Sequence, residues 1–415
     1  MHIPRKRLFW AVGLGHMTND TFTSMGPVLL TFLSATILPM TNTQIGFVVS
    51  ASQLVGSISQ PLTGWMADRS GGRWLGSIGV SWTVGMLMLS LALAAATRQY
   101  WVMFVPFALH TLGSGAFHPV GAMYAAESDE DYAASNLSIF FLLGQSGLAL
   151  GPALAGFLLD GATGGAEDAV NLAPIFALSL AAIPGVLAMF LAIPSALKRH
   201  QAEQEEDTGK APTRRFVNGI PIKAFVILGL MVALRSLPQP GSVAFIPRLF
   251  EQKGWEPAQY GLITSFFWIA SGIAGIVFGQ LADRWDRRRI MTISMVLGAP
   301  AFFLLPSLDG IPAFVMAVAA GGLTGGSHSI IVVLAQELIP ASRGLASGTI
   351  LGFIFGTGAL SSLVIGALSD AIELGPTFQV MAVVSVIAGL LALALPPRPA
   401  QTALLEEREA VPAQI

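Results

Sequence analysis

His16, Asn19 and Asp20 interrupt the stretch GLGHMTNDTF (13–22), inside an apolar run from Leu8 to Leu38. An ionised carboxylate at the centre of a bilayer costs roughly 2.5–3.5 kcal/mol on insertion scales. Asp20 therefore needs a counter-charge or a proton. His16 lies one helical turn before it, on the same face, and an imidazole titrates near neutral pH. A second charge, Arg235, is embedded in LRSLPQPG (234–241), and His110 and His118 share a further apolar stretch. Ionisable groups in such settings usually face a cavity and mark a path for protons or charged solutes. The plainer alternatives are a structural ion pair for Asp20 and Arg235, and helix-packing hydrogen bonds for His16, His110, His118 and His328. Pro119, next to His118, frees a backbone carbonyl one turn back, which a polar neighbour can satisfy. Metal binding is not expected, because no pair has the usual ligand spacing with carboxylate support.

The elements that carry these residues are membrane helices. The chain has 415 residues, of which 53% are hydrophobic and 11% charged. Soluble domains carry about 25% charged residues. Its 45 glycines and 25 prolines suit membrane helices. There is no cysteine, hence no disulfide, and the net charge of −2 suggests no nucleic-acid partner. A span needs about 20 apolar residues. Twelve candidates emerge: 9–38, 44–67, 74–96, 100–126, 133–160, 172–195, 221–248, 258–282, 290–308, 311–337, 344–370 and 377–396. The basic opening MHIPRKRLFW resembles a signal peptide, but the apolar run after it is too long and lacks a small-residue cleavage site. It is read as the first span. The long polar stretch 196–219 is read as a solvated linker, which gives an N-terminal six-helix bundle (1–195), a C-terminal six-helix bundle (220–397) and a tail (398–415).

Orientation follows from Lys and Arg. With the N-terminus in the cytoplasm, Arg98, Arg248 and Lys253 fall outside and Arg235 falls within a helix. The rest of the 22 basic residues are cytoplasmic. Both termini are then expected there. The halves also repeat. The shift that carries GWMADR (64–69) onto GQLADR (279–284) carries Gly26 onto Gly241 and Asp20 onto Arg235. A second shift carries His118 onto His328, Glu127 onto Glu337 and GFLLD (156–160) onto GALSD (366–370). Parallel six-helix repeats point to a transporter with its site between the halves at the midplane. Asp20 and Arg235 are then expected to face each other across the cavity and to compensate each other, directly or through water and substrate.

GWMADRSGGR and GQLADRWDRR resemble the loop motif of the major facilitator superfamily, with Gly72 where a basic residue is usual and Asp286 where a glycine is. Within it the chain is similar to the fosmidomycin resistance protein family, through HMTNDTF (16–22), SQPLTGWMADR (59–69), GSGAFHP (113–119), LRSLPQPGSVAFIP (234–247) and HSIIVVLAQELIPASRGLASGTILGFIFGTGAL (328–360). That family often has an acid after FHP, where Val120 stands here. The resemblance implies an all-α twelve-helix facilitator fold and drug export driven by proton entry. It also implies gating by Gly64, Asp68, Arg69, Asp283 and Arg284, with Asp68 facing the start of helix 11 near Gly344 and Asp283 the start of helix 5 near Ala133. Arg73, Arg287 and Arg288 fit plain positive-inside charge better. GLALGPALAG (147–156) resembles the helix-5 motif of facilitator antiporters, through Gly147, Gly151, Pro152 and Gly156, with Ala155 in place of a glycine. Ordinary tight packing is the alternative.

Gln53, Gln60, Gln145, Gln239, Gln280 and Gln336 are further intramembrane polar groups. Gln145 and Gln239 are the preferred substrate contacts, beside Asp20, Arg235, His16, Asn19 and His118. Phe267 and Trp268 line either an apolar cavity wall or the lipid. The expected function is secondary transport of a drug-like or anionic small molecule across the bacterial inner membrane, by a monomer without a cofactor. Proton-coupled export, proton-coupled uptake of an organic anion, and a weaker reading as an intramembrane enzyme or lipid-handling protein compete. The helix-5 motif and the family resemblance favour export.

Overall fold

A computed structural model describes residues 4–70, 72–129, 132–162, 170–194, 222–327, 330–331 and 343–395. The linker 196–219 and the tail 398–415 lie outside the described residues. The described residues form twelve helices: α1 (Arg7–Thr36), α2 (Asn42–Ser70), α3 (Arg73–Thr97), α4 (Tyr100–Glu127), α5 (Ala133–Leu159), α6 (Ala173–Ala192), α7, α8 (Pro257–Arg284), α9 (Arg287–Leu304), α10 (Gly310–Gly325), α11 (Arg343–Ile372) and α12 (Leu374–Ala392). α7 runs in pieces, Ile222–Ser236, a π-helical stretch Leu237–Gly241, a short 3-10 turn and Ile246–Glu251. Its break sits at Pro238 and Pro240, where Gln239 takes an extended conformation (φ −153°, ψ 124°). Proline removes a helix donor and clashes with the preceding turn, so the sequence dictates the break.

Seven helices among the described residues are long and apolar enough to cross a membrane. α1, α2 and α4 are long as well, but polar residues dilute their hydropathy, and two of these helices carry the candidate site. The expected spans match these helices to within a few residues at the described ends, except the tenth, expected over 311–337, where α10 ends at Gly325.

Glycines set how closely the helices approach. A Cβ on Gly79 would meet the Gly113 carbonyl oxygen, and one on Gly113 the Gly79 carbonyl oxygen, so α3 and α4 touch backbone to backbone. Small residues at helix crossings permit this. Pro119 leaves the Gly115 carbonyl without its helical donor, and the Thr63 hydroxyl of α2 donates to it at 2.8 Å. The kink is thus satisfied by Thr63 rather than by a histidine. Phe267 is fully buried in the C-terminal half, against Phe302, and Trp268 packs beside it half-buried, which favours neither wall nor lipid for Phe267.

The two halves meet through α2 against α11 and α5 against α8. Near the start of α2, a Cβ on Gly46 would strike the Ser362 carbonyl and one on Gly366 the Asn42 carbonyl. Near the end of α5, Gly156 abuts the Pro257 carbonyl and Gly261 the Pro152 carbonyl. Asp370 of α11 accepts from the backbone N–H groups of Asn42 and Thr43, at 2.9 and 2.8 Å, capping α2 from the other half. Its repeat counterpart Asp160 accepts from Ala258 N at 3.5 Å, at the start of α8. These contacts close the face opposite the chain termini. At the terminus-bearing face, Arg69 lies over the Trp65 ring at 4.1 Å. Arg288 ties Asp286 to the Leu395 carbonyl within the C-terminal half (2.7 and 2.8 Å), and the Arg288 guanidinium holds the Asp286 carboxyl below its ordinary range. Gly64 rests on Pro119 at ordinary contact distance. The side chains of Asp68 and Asp283 lie outside the described ones.

A carboxylate at an exposed helix N-terminus contributes about 0.3–1 kcal/mol. Asp370→Asn is therefore expected to shift the population about two- to fivefold toward opening at this face. Alkylation of a Gln53→Cys probe, in a chain that has no other cysteine, by an impermeant reagent added from that side should rise by that factor. An unchanged rate would remove Asp370 from the closure.

Candidate functional site

Asp20 lies at the crossing of α1 with α4 and α5, and only 8% of its surface is exposed. Three glycines bring α5 up to it. A Cβ on Gly147 would meet the Met17 carbonyl, and one on Gly151 the Thr21 carbonyl. A Cβ on Gly144 would press on the His16 ring and come within 2.9 Å of Asp20 Oδ2. The antiporter-like motif thus serves two contacts. Gly147 and Gly151 seat α5 on the Asp20 turn, while Pro152 and Gly156 join α5 to α8.

Two imidazoles converge on the carboxylate. His16 Nε2 is 3.2 Å from Oδ2 and His118 Nε2 is 3.4 Å from Oδ1. Each ring is fixed from behind. His16 Nδ1 lies 2.8 Å from the Phe140 carbonyl, and the ring stacks on Phe140 with centroids 4.0 Å apart. His118 Nδ1 lies 2.8 Å from the Ser114 carbonyl. A carbonyl oxygen only accepts, so these partners assign the proton of each neutral ring to Nδ1. The Nε2 lone pairs then both face the carboxylate. Asn19 completes the cup. Its amide donates to Asp20 Oδ1 at 3.0 Å and to Ser114 Oγ at 2.9 Å, and its oxygen accepts from Thr83 of α3 at 3.1 Å. Four acceptor atoms, the two Nε2 nitrogens and the two carboxylate oxygens, thus lie together with one donor, Asn19, among them. A cation must sit between them: one proton satisfies one of the two imidazole–carboxylate contacts, and two protons satisfy both.

The C-terminal half builds the opposite site. Arg235 of α7 is 3% exposed. It donates from Nε to Ser327 Oγ at 2.8 Å and from Nη2 to Gln239 Oε1 at 2.9 Å. Gln239, turned in by the α7 break, donates onward to Ser271 Oγ at 3.0 Å. Among the described residues no carboxylate lies within ion-pair distance of Arg235. The guanidinium is buried, and its side-chain partners among the described residues, Ser327 and Gln239, are neutral.

The structure shows no direct pair across the cavity. Asp20 finds its partners, His16 and His118, within its own half, and no ion pair joins it to Arg235. The reason is mechanical. Contacts within one six-helix half survive when the halves separate, whereas a pair across the cavity would break on each opening. The expectation about metal ligands also changes, because helix packing supplies what spacing along the chain could not: His16, Asp20 and His118 offer three ligand atoms within 4.8 Å of one another. His110 stands apart from the site, buried, with Nδ1 against the Phe107 carbonyl. Gln145 is half-buried and packs on Gly272 of α8, facing the interface of the halves. His328, Gln336 and Glu337 lie outside the described residues. Sequence reasoning missed Ser114, Thr83, Ser271, Ser327 and Gly144. Only Ser114, one turn before His118, carried a signal in the sequence.

Comparison with known proteins agrees with this architecture. The family model described as Major Facilitator Superfamily matches residues 9–239 and 224–415. The MFS-type transporter YfnC of Bacillus subtilis is 27% identical over 93% of this chain and 91% of its own length. The fosmidomycin resistance protein of Escherichia coli is 28% identical over 93% and 92%. The multidrug efflux pump Tap of Mycobacterium tuberculosis is 28% identical over 60% and 58%. Among solved structures, a D-xylose-proton symporter superposes with a TM-score of 0.73 at 14% identity, covering 94% of this chain and 98% of that one. A bacterial homologue of the lysosomal transporter Spinster superposes with 0.72 at 15% identity, covering 93% and 96%. At these identities the structural likeness speaks for the fold.

Gly144→Ala tests the packing of the cup. The added methyl has no space beside His16 and Asp20, and overpacking costs about 1–3 kcal/mol. The melting temperature in detergent should fall clearly below wild type. An unchanged melting temperature would mean that α5 does not press on the Asp20 turn.

Proposed function

The chain belongs to the Major Facilitator Superfamily, and on that premise we propose that it is a proton-coupled exporter of a drug-like or anionic small molecule. As a superfamily member it is a multi-pass membrane transporter and not an enzyme. The carrying observation is the division of charge. The N-terminal half holds a carboxylate ringed by two imidazoles that requires a cation. The C-terminal half holds, at the repeat-equivalent position, a buried arginine with no carboxylate within ion-pair distance among the described residues. Protons load the first and substrate anion the second, while residues 1–195 and 220–397 rock as two bodies.

Positive-inside charge sets the terminus-bearing face in the cytoplasm of a bacterial inner membrane. The described closure between the halves then lies on the outer side, and the cavity is offered to cytoplasmic substrate. The relatives named for fosmidomycin resistance and multidrug efflux support outward movement. Coupling runs through conformational preference: a ligand shifts an equilibrium only by its differential affinity for the two states. Proton binding at Asp20 and anion binding at Arg235 favour opposite openings. Asn19 holds the carboxylate in place, and Gln239 orients the arginine. Gln145, at the α5–α8 interface, is a substrate contact in this scheme. Gly64, Asp68, Arg69, Asp283 and Arg284 serve the cytoplasmic gate, formed when that face closes.

Uptake into inside-out vesicles over a panel of fosmidomycin-like and amphiphilic compounds, with and without an imposed pH gradient, tests this. Wild type should accumulate substrate only with the gradient. Asp20→Asn keeps size and hydrogen bonding but cannot exchange a proton. It should lose gradient-driven accumulation by at least about tenfold while retaining substrate exchange. Sustained accumulation by Asp20→Asn would remove Asp20 as the proton carrier.

Hydrogen bonds to charged groups contribute about 1.5–3 kcal/mol. Arg235→Ala should therefore weaken binding of an anionic substrate about 10- to 150-fold in an equilibrium binding assay, and leave a neutral analogue nearly unaffected. Equal loss for both would return Arg235 to a structural role.

A further inference from the structure

We infer that the His16–Asp20–His118 cup is also a binding site for a divalent transition-metal ion, with Zn2+ as the fitting member of that class. The inference rests on the geometry of the cup and not on the direction or coupling of transport. Donor set, spacing, support and access each bear on it.

The donors are two imidazole nitrogens and one carboxylate. That mixture suits zinc and its neighbours, whereas magnesium and calcium take oxygen ligands. Zinc binds His nitrogen and carboxylate oxygen at about 2.0–2.2 Å in tetrahedral array, which sets neighbouring ligand atoms roughly 3.3–3.5 Å apart. The observed nitrogen-to-oxygen separations are 3.2 Å for His16 and 3.4 Å for His118. The three ligand atoms all lie within 4.8 Å of one another, so no pair needs to close by more than roughly 1.5 Å to share one ion.

Outer-shell support is already built. A metal-bound histidine usually donates its other N–H to a carbonyl or carboxylate, which fixes the tautomer and aims the lone pair. His16 does this to the Phe140 carbonyl and His118 to the Ser114 carbonyl, both at 2.8 Å. Asn19 fixes the carboxylate through Oδ1 at 3.0 Å. Both Nε2 lone pairs thus face the Asp20 carboxylate, His16 toward Oδ2 and His118 toward Oδ1, before any ion arrives. Access comes from the cavity: the His118 side chain is 28% exposed, against 3% for His16 and 11% for Asp20. Three protein ligands leave the fourth zinc position open to water on the exposed side, the arrangement of open zinc sites. An ion seated there ties α1 to α4, fills the place a proton would take and blocks the transport cycle.

The test uses the full chain in lipid nanodiscs, titrated with ZnCl2 by calorimetry in a chelator-free buffer. One Zn2+ per chain should bind with micromolar or tighter affinity, and MgCl2 should give no heat. His118→Gln and Asp20→Asn should each weaken zinc binding at least tenfold while keeping the wild-type elution profile and melting temperature. His200→Ala, in the linker, should leave binding unchanged. Zinc-edge absorption spectra should show two imidazoles in the first shell. Absent binding, or binding insensitive to both cup variants, overturns the inference and leaves the proton reading untouched. Conversely, tight zinc binding together with gradient-driven accumulation by Asp20→Asn would keep the zinc site and remove Asp20 as proton carrier. If a cup variant fails to fold, zinc protection of a His118→Cys chain decides. A bound ion should slow maleimide labelling of that thiol at least tenfold, and equal labelling with and without zinc overturns the site.

Discussion

The structure turns on one constraint: a carboxylate in the middle of the first membrane helix has to be kept charge-balanced without water. Asp20 meets it with two imidazoles whose far nitrogens are committed to backbone carbonyls. That solution makes demands on the surrounding helices. α5 has to come close enough for the Phe140 carbonyl to reach His16, so Gly144, Gly147 and Gly151 carry no side chain. α4 has to present His118 at the same depth. It bends at Pro119, and α2 supplies Thr63 to satisfy the carbonyl freed by the bend. α3 supplies Thr83 to hold the amide of Asn19. Four helices of the N-terminal half are thus tied to one side chain of α1.

The C-terminal half repeats the plan with the sign reversed and with looser balancing. Arg235 is surrounded by Gln239, Ser327 and, one step further, Ser271, all neutral. Hydrogen bonds to neutral acceptors replace some of the lost hydration of the guanidinium but leave its charge. A transporter gains from that difference. A cation fully paired within the protein would have little left for an anion, while a cation held only by dipoles binds one strongly. The two halves thus balance a buried charge differently: the first sets two imidazoles against its carboxylate, and the second sets neutral side chains against its guanidinium.

The helices were legible because a membrane span leaves a strong mark, and apart from the end of α10 the observed limits differ from the expected ones by only a few residues at the described ends. The break of α7 was written in Pro238 and Pro240. The repeat was legible too, and it correctly paired Asp160 with Asp370, which occupy equivalent places in the closure opposite the chain termini. It misled at Asp20. Symmetry relates the positions of Asp20 and Arg235 but does not bring them together, and partners for a buried charge are chosen by packing. The His118 contact joins residues far apart in sequence, through a crossing angle that no periodicity reveals. Ser271 and Ser327 look like any other membrane serine until Gln239 and Arg235 are placed beside them.

The proton arrangement within the cup decides how the N-terminal half balances its charge, and nitrogen-15 spectra of histidine-labelled protein in bilayers read it directly. The shifts of the two ring nitrogens distinguish which one carries hydrogen. The structure predicts that His16 and His118 both carry hydrogen on Nδ1, and that Asp20→Asn alters the Nε2 signals of both rings while Arg235→Ala leaves them in place. A bare Nδ1 with a permanently protonated Nε2 on either ring, or Nε2 signals governed by Arg235 rather than Asp20, would contradict it.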